Sequence, residues 1–338
     1  MRRNKHVTDQ NVRLTSAEIA NLWGAYLGNS MSSLVLAYFH REDQEIKKVV
    51  EYALSLSKKH VEMIKGIFLH EKFPIPFGFN DNDVNLNAPR LYSDTFFLNY
   101  LHQTTKSGFS LYTIALPNIA RSDVRDFISE CIMSTTELYN KVAEVSLSKG
   151  IYIRPPYISV SHGAEYVESP KTFFSGFSRD VRPLNALEIT HLYSNMQTNA
   201  LGKGLIMGFA QVARSEEVRK FFNRGKQIAT KHMEVFSSTL RIEDLPSPMS
   251  WDHDVTDSTE PPFSDKLMMF HISGINSLGI NNYGAAMSGS QRHDLHVMYS
   301  RLLAEIGIFA EAGSKIMIRN QWLEQTPLAP DRKQLVKT

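Results

Sequence analysis

The sequence predicts an all-α protein built as two tandem four-helix bundles, each with one long crossover between its second and third helices. Three observations predict this. Apolar residues recur at helical spacing almost everywhere outside a few loops, and strand-type alternation is nowhere sustained. The chain states one pattern twice, about 170 positions apart. Within each copy, short connections flank a single connection of about 20 residues.

The repetition sets the domain count. LTSAEIANLW at Leu14–Trp23 returns as LNALEITHLY at Leu184–Tyr193, and EIKKVVEYALSLSKKHVEMI at Glu45–Ile64 returns as EVRKFFNRGKQIATKHMEVF at Glu217–Phe236. FPIP at Phe73–Pro76 answers LPSP at Leu245–Pro248, and LYSD at Leu91–Asp94 answers PFSD at Pro262–Asp265. Asp123 follows Arg121 by two, as Asp294 follows Arg292. The order is kept throughout, so a unit of roughly 150 residues has been duplicated, far longer than a solenoid repeat. The expected division is a first bundle over 1–150, a linker over 151–183 and a second bundle with an extended tail over 184–338.

The helices of the first copy follow from periodicity and caps. Helix one is expected from Ser16 to Phe39, with a stripe of Ile19, Leu22, Trp23, Tyr26, Ser30, Leu34 and Ala37. Helix two runs from Asp43 to Lys72 with Ile46, Val50, Ala53, Ser57, His60, Ile64 and Phe68 on one face. Helix three starts at the cap-like Ser93-Asp94 and ends near Pro117; helix four runs from Ser122 to Gly150. Short loops join helices one and two, and three and four, and such pairs pack antiparallel. Phe73 to Tyr92, rich in Pro, Asn, Asp and Gly, separates the pairs. Twenty extended residues span about 60 Å, more than the roughly 38 Å of a 25-residue helix. The second pair therefore starts from the end where the first began, which is the ferritin-like arrangement.

Ile151–Pro183 has no helical period and several prolines, so it reads as a linker. Its aromatics Tyr152, Tyr157, Tyr166, Phe173, Phe174 and Phe177 imply that it packs along the bundles. The tail after Trp322 is polar, contains prolines and is expected to be extended.

Composition narrows the function. A net charge of +2, with acids and bases interspersed over 338 residues, gives no strong pull toward nucleic acid or membrane. MRRNKHVTDQ has basic residues without an apolar run behind them, so it does not read as a signal peptide. No apolar run reaches membrane-spanning length. Cys131 is the single cysteine, which excludes an intrachain disulfide and a thiolate zinc cluster. The default location on these grounds is cytoplasmic.

NLNAPRLYSD (Asn85–Asp94), ELYNKVAEVSLSKGIYIRPPY (Glu137–Tyr157), NALEITHLYSNMQTNALGKGL (Asn185–Leu205), DSTEPPFSDKLMMFH (Asp257–His271) and LEQTPLAPDRK (Leu323–Lys333) carry a family resemblance. With them the chain resembles a family of tandem ferritin-like proteins of unknown function from spore-forming bacteria, distantly related to spore coat protein F. The resemblance implies two ferritin-like bundles and no particular activity.

Di-iron chemistry in such bundles needs a Glu from each of two helices and a Glu-x-x-His from each of the other two. No Glu-x-x-His occurs on helix two or four of either copy, and helix one lacks a carboxylate from Ile19 to Phe39 and from Ile189 to Arg214. A standard di-iron site is therefore not expected. A smaller constellation remains. His60 and His232 match in the two copies on the apolar stripe of helix two, and Asn29 matches Asn199 on the inward side of helix one. Glu62 and Glu234, two residues on, are rotated by about 200° and face away. Glu305 lies on the inner stripe of helix four at the depth of His232, whereas the first copy has Ser134 there. One account is a set of core polar groups that satisfy one another. The other is a mononuclear iron or zinc site held by His232 and Glu305 with Asn199 or His271. His60, His102 and Asn29 are the weaker counterparts in the first bundle.

Two main readings of function follow, with a small apolar ligand held between the helices of a bundle as a further alternative. The first is a non-enzymatic, all-helical structural or interaction protein, linked to sporulation or stress by the resemblance, with a protein partner or a second copy of itself. The second is a metal-binding, redox-capable protein with a reduced site in the second bundle.

Overall fold

The computed structural model describes residues 12–39, 42–160, 163–177 and 181–335. Among them the regular structure is helical, with two isolated β-bridges. The first half contains α1 (Ser16–Tyr38), α2 (Gln44–His70), α3 (Asp94–Ala115) and α4 (Ser122–Ser148). A short α5 (Pro170–Phe174) lies in the linker. The second half contains α6 (Ala186–Val212), α7 (Glu216–Ile242), α8 (Asp265–Gly289) and α9 (His293–Arg319), and α10 (Arg332–Leu335) closes the tail.

Helix ends are built by the same chemistry in both halves. Thr15 with Glu18 and Asn185 with Glu188 form capping boxes at the starts of α1 and α6. Those glutamates do more than cap. Glu18 Oε1 accepts the Arg121 amide at 2.9 Å, and Glu188 Oε1 accepts the amides of Gln291 and Arg292 at 3.0 and 3.3 Å. One buried carboxylate thus satisfies free amides at the start of two helices. Burial alone would raise the Glu188 carboxyl, but the Arg182 guanidinium and the Asn185 and Gln291 amides overcome it and hold it at about 2. Asp94 Oδ2 accepts the amides of Glu42 and Asp43, and Asp265 accepts those of Arg214 and Ser215, so each third helix ties down the turn between the first two. α2, α4, α7 and α9 all stop at a residue of positive φ: Lys72, Gly150, Asp244 and Gln321. The amide of the next residue returns to the carbonyl five positions back, at 2.8 to 3.0 Å, which closes the last turn.

Helices joined by short loops pack on each other: α1 on α2, α3 on α4, α6 on α7 and α8 on α9. α2 then meets α3 and α4, α6 meets α8, and α7 meets α9. α3 contacts α6, which joins the halves. One apolar cluster lies within the first half around Leu22, Phe68 and Phe127, and one within the second around Leu192, Phe236 and Tyr299. A third draws on both halves, including Phe97, Tyr100 and Leu101 with Leu205, Phe209 and Met268. The expected stripe of α1 holds at Leu22, Trp23 and Ser30 but gives way to Val35, Leu36 and Tyr38 at the C-terminal end. The reason is that the second half covers that end, where the Tyr38 ring stands edge-on to Phe263 at 5.0 Å.

The two crossovers exchange hydrogen bonds reciprocally. Val84 bridges to Phe263, and the matching Val255 bridges to Tyr92. Asp83 Oδ1 accepts the hydroxyl of Ser264, the N-cap of α8, at 2.6 Å, while Asp254 Oδ1 accepts that of Ser93, the N-cap of α3. The backbone repeats the exchange, with Ser264 N on Asp83 O at 3.0 Å and Ser93 N on Asp254 O at 2.9 Å. This is the i-to-j, j-to-i pattern of a two-fold interface. Where Tyr38 faces Phe263, its counterpart Gly208 faces Tyr92. A Cβ at Gly208 would fall 2.5 Å from the Tyr92 hydroxyl, which donates to Leu205 O at 2.7 Å.

The linker packs at its ends and not, as expected, along its length. Tyr152 lies beside His102 and Tyr139, and the Phe174 ring stacks on His293 at 5.8 Å. Between these anchors Tyr157 is 80% exposed, Val160 96% and Tyr166 98%. The prolines and the absence of a helical period leave that stretch no regular face to bury. The tail returns to the first half, where Glu324 accepts the amides of Phe77 and Gly78 at 2.9 and 2.7 Å.

Candidate functional site

Each half places an Asn, a His and a Tyr in its interior at matching positions. In the first half these are Asn29 on α1, His60 on α2 and Tyr112 on α3; in the second, Asn199 on α6, His232 on α7 and Tyr283 on α8. The tyrosines are absent from the sequence reading, although they keep the repeat's offset and that signal was available.

In the second half the groups form a directed chain. Asn199 Nδ2 donates to the Tyr283 oxygen at 2.7 Å, and the Tyr283 hydroxyl meets His232 Nδ1 at 2.9 Å. His232 Nε2 meets Glu305 Oε2 at 3.2 Å, and Lys231 Nζ reaches both Glu305 oxygens at 2.8 and 2.9 Å. An ionised carboxylate only accepts, so the His232 proton resides on Nε2 and Nδ1 receives the phenol. Burial lowers the His232 pKa, and Glu305 recovers part of the shift. Burial raises the Glu305 carboxyl, but Lys231 and His232 bring it below its ordinary value. Every proton on this chain has a receiver.

The first half arranges the same residues differently. His60 Nδ1 lies 3.2 Å from Asn29 Oδ1, and Asn29 Nδ2 donates to Ala25 O at 2.8 Å and to the Tyr112 oxygen at 3.3 Å. A carbonyl oxygen only accepts, so His60 is protonated on Nδ1, the tautomer opposite to His232. Its buried Nε2 has no hydrogen-bond partner. The cause is one helical turn: Lys59 pairs with Glu130, four residues before Ser134, and no carboxylate stands where Glu305 would. Burial pushes the His60 pKa down to about 4.

The other candidates lie apart from these groups. His271 does not join His232; its Nε2 meets the Tyr100 hydroxyl at 2.9 Å and its ring packs on Phe209. It precedes Tyr283 by twelve residues on α8, which turns it by about 120° and sets it about 18 Å back along the helix. Burial drives its pKa down to about 3. His102 does not join His60; it lies between Tyr139 and Tyr152, and burial holds it at about 4. Among the described residues no three His, Cys, Asp or Glu side chains gather as a metal site would need.

These features define an all-helical protein made of two copies of one unit that share a core, each copy with an internal Asn-His-Tyr group. The chain belongs to the DUF3231 family, described as a protein of unknown function, whose profile matches residues 3–163 and again 173–335. Among solved structures it is similar to a chain from Bacillus halodurans C-125 provisionally described as a spore coat protein. The two are 18% identical with a TM-score of 0.40, and the match spans 44% of this chain and 98% of that one. No curated protein matches the chain. No helix among the described residues is long and apolar enough to cross a membrane.

Proposed function

We propose that the chain is a non-enzymatic structural or interaction protein, built as two ferritin-like four-helix bundles over 1–150 and 184–338 with 151–183 as the linker. The observation that carries this reading is how the second half's interior ionisable groups are used. His232 and Glu305 hold each other, Tyr283 and Lys231, which fixes helices α6 to α9 and leaves neither residue poised for chemistry. The reciprocal crossovers and shared core lock the two copies into one body. The exposed Tyr157, Ile158, Val160, Tyr166 and Val167 supply an apolar strip for a protein partner or a second copy. A cytoplasmic location is the default from composition, and a spore association with a role in sporulation or stress rests on the family resemblance.

A second reading is favoured by one contact, His232 Nε2 to Glu305 Oε2 at 3.2 Å. With Lys231 displaced, these two would offer an imidazole nitrogen and a carboxylate to an iron or zinc ion, with water completing the set; Asn199 lies on the other edge of the ring, beyond Tyr283. Metal analysis of tag-free protein after reconstitution with Fe(II) and Zn(II), beside His232→Ala/Glu305→Ala, separates the readings. The structural reading expects no stoichiometric metal in either protein. Near-stoichiometric metal in the parent that disappears in the variant would overturn it.

A further inference from the structure

Beneath the Asn-His-Tyr group of the second half lies a cavity of about 50 Å³ bounded by all four helices. Its walls are mostly aliphatic: Ile206, Ile228, Ile272, Ile275 and Ile306, with Phe309. Asn199, His232 and Tyr283 contribute polar atoms, and so does Asn276. The first half lines the matching positions differently. Gly202 and Gly225 correspond to Ser32 and Ala53, and Asn276 to Thr105, whose hydroxyl is spent on the carbonyl of His102 at 2.8 Å. The second copy is thus smaller at Gly202 and Gly225 and larger at Thr198, Ile275, Ile306 and Phe309, where the first has Gly28, Thr104, Thr135 and Leu138.

Asn276 is the second, independent observation. It is only 8% exposed, and its amide makes no hydrogen bond within the chain. Its polar atoms open onto this space, where water or a ligand group can meet them. The Asn199 side-chain oxygen likewise has no partner, since only its nitrogen is engaged. These polar groups border a chamber whose other walls are hydrocarbon.

We propose that this cavity binds a small uncharged molecule with an aliphatic body and one hydrogen-bonding group, of the class of short-chain alcohols, ketones and amides. Size follows from volume: one water needs about 10–15 Å³ on this measure, so the space takes roughly four or five non-hydrogen atoms. Charge is excluded because no Lys, Arg, Asp or Glu lines the cavity and His232 is held neutral with both nitrogens engaged. The ligand's polar group meets Asn276 and the Asn199 oxygen, and its body packs on the isoleucines. The site stands apart from the structural reading above and does not depend on it.

The test uses the full chain with ¹³C-labelled isoleucine methyls, titrated with isobutanol and, separately, with sodium isobutyrate. The expected result is saturable shifts on Ile206, Ile228, Ile272, Ile275 and Ile306 with isobutanol, with a Kd on the order of millimolar as befits so few atoms, and none with isobutyrate. Gly202→Val should abolish the shifts. A Cβ at residue 202 would come no closer than 3.6 Å to Ile275, so the fold is retained, which circular dichroism checks. Asn276→Thr, the residue of the first half, should weaken binding about tenfold or more. Shifts that never saturate, equal shifts with isobutyrate, or unchanged binding in a folded Gly202→Val protein would each overturn the proposal.

Discussion

Tyr100 and His271 occupy the same position in the two copies, and they hydrogen-bond to each other at 2.9 Å, phenol oxygen to Nε2. Equivalent residues touch only where an approximate two-fold axis passes between them. The pair thus marks the axis that relates the halves, and the reciprocal caps of Ser93 and Ser264 lie to either side of it. The two residues have diverged into complementary types. The Tyr100 hydroxyl meets Nε2, and the other ring nitrogen of His271, Nδ1, is buried without a partner.

Removing one member of this pair should cost more than the bond is worth. Tyr100→Phe leaves both ring nitrogens of His271 buried and unsatisfied, and the expected loss is about 1–3 kcal/mol. The double variant Tyr100→Phe/His271→Leu removes the polar groups together and should be less destabilised than the sum of the single changes. Urea unfolding of the four proteins measures this. Additive losses would mean that the contact is energetically idle.

The crossover aspartates should be unequal despite their symmetry. Asp83 accepts the Ser264 hydroxyl with Oδ1 and the Asn80 amide with Oδ2 at 3.1 Å. Asp254 accepts the Ser93 hydroxyl, but its Oδ2 has no hydrogen-bond partner. Asp83→Ala should therefore cost about 2 kcal/mol or more, and Asp254→Ala nearer 1 kcal/mol. Thermal unfolding of both variants decides the order, and a larger loss for Asp254→Ala would refute the assignment.

Much of this arrangement was legible in the sequence. Periodicity and cap residues place the four long helices of the first half to within a few residues, because Asp43 and Ser93 each accept the amides that a starting helix leaves free. The repeat singles out His60 and His232, and counting depth along α7 and α9 brings Glu305 to His232. What the sequence does not carry is docking between the copies. His271 sits on an apolar stripe that fits either an intra-bundle or an inter-half neighbour, and only the packing of α3 against the second half gives it to Tyr100. The missing carboxylate at Ser134 is legible, but the reversal of the His60 tautomer depends on the orientation of the Asn29 amide, which spacing does not fix.

Acid should destabilise the fold through the buried histidines well above the carboxylate range. His60 is held at about 4 and His271 at about 3, both by burial, against roughly 6.5 in an unfolded chain. Below about 6.5 the unfolded chain binds protons that the fold refuses, so their stabilisation is complete above that pH and is lost as pH falls. Each contributes a slope of about 1.4 kcal/mol per pH unit, or roughly 4 kcal/mol together by pH 5. Urea unfolding from pH 8 to pH 5 should show a plateau and then a decline. The decline should be shallower in His271→Leu. Equal stability at pH 7.5 and pH 5 would show that neither histidine is held neutral.

Cutting the linker should leave the protein in one piece. The stretch around Tyr157, Val160 and Tyr166 is exposed and makes little contact, so brief chymotrypsin treatment should cleave there first. The halves are held by the shared cluster of Phe97, Tyr100, Phe209 and Met268 and by two crossovers whose hydrogen bonds run from one half to the other. None of these contacts passes through the cut. Size-exclusion chromatography with light scattering should therefore find the two fragments co-eluting at the mass of the intact chain, and separating only in denaturant. Fragments that part in native buffer would mean that the linker, and not the two-fold contact, holds the copies together.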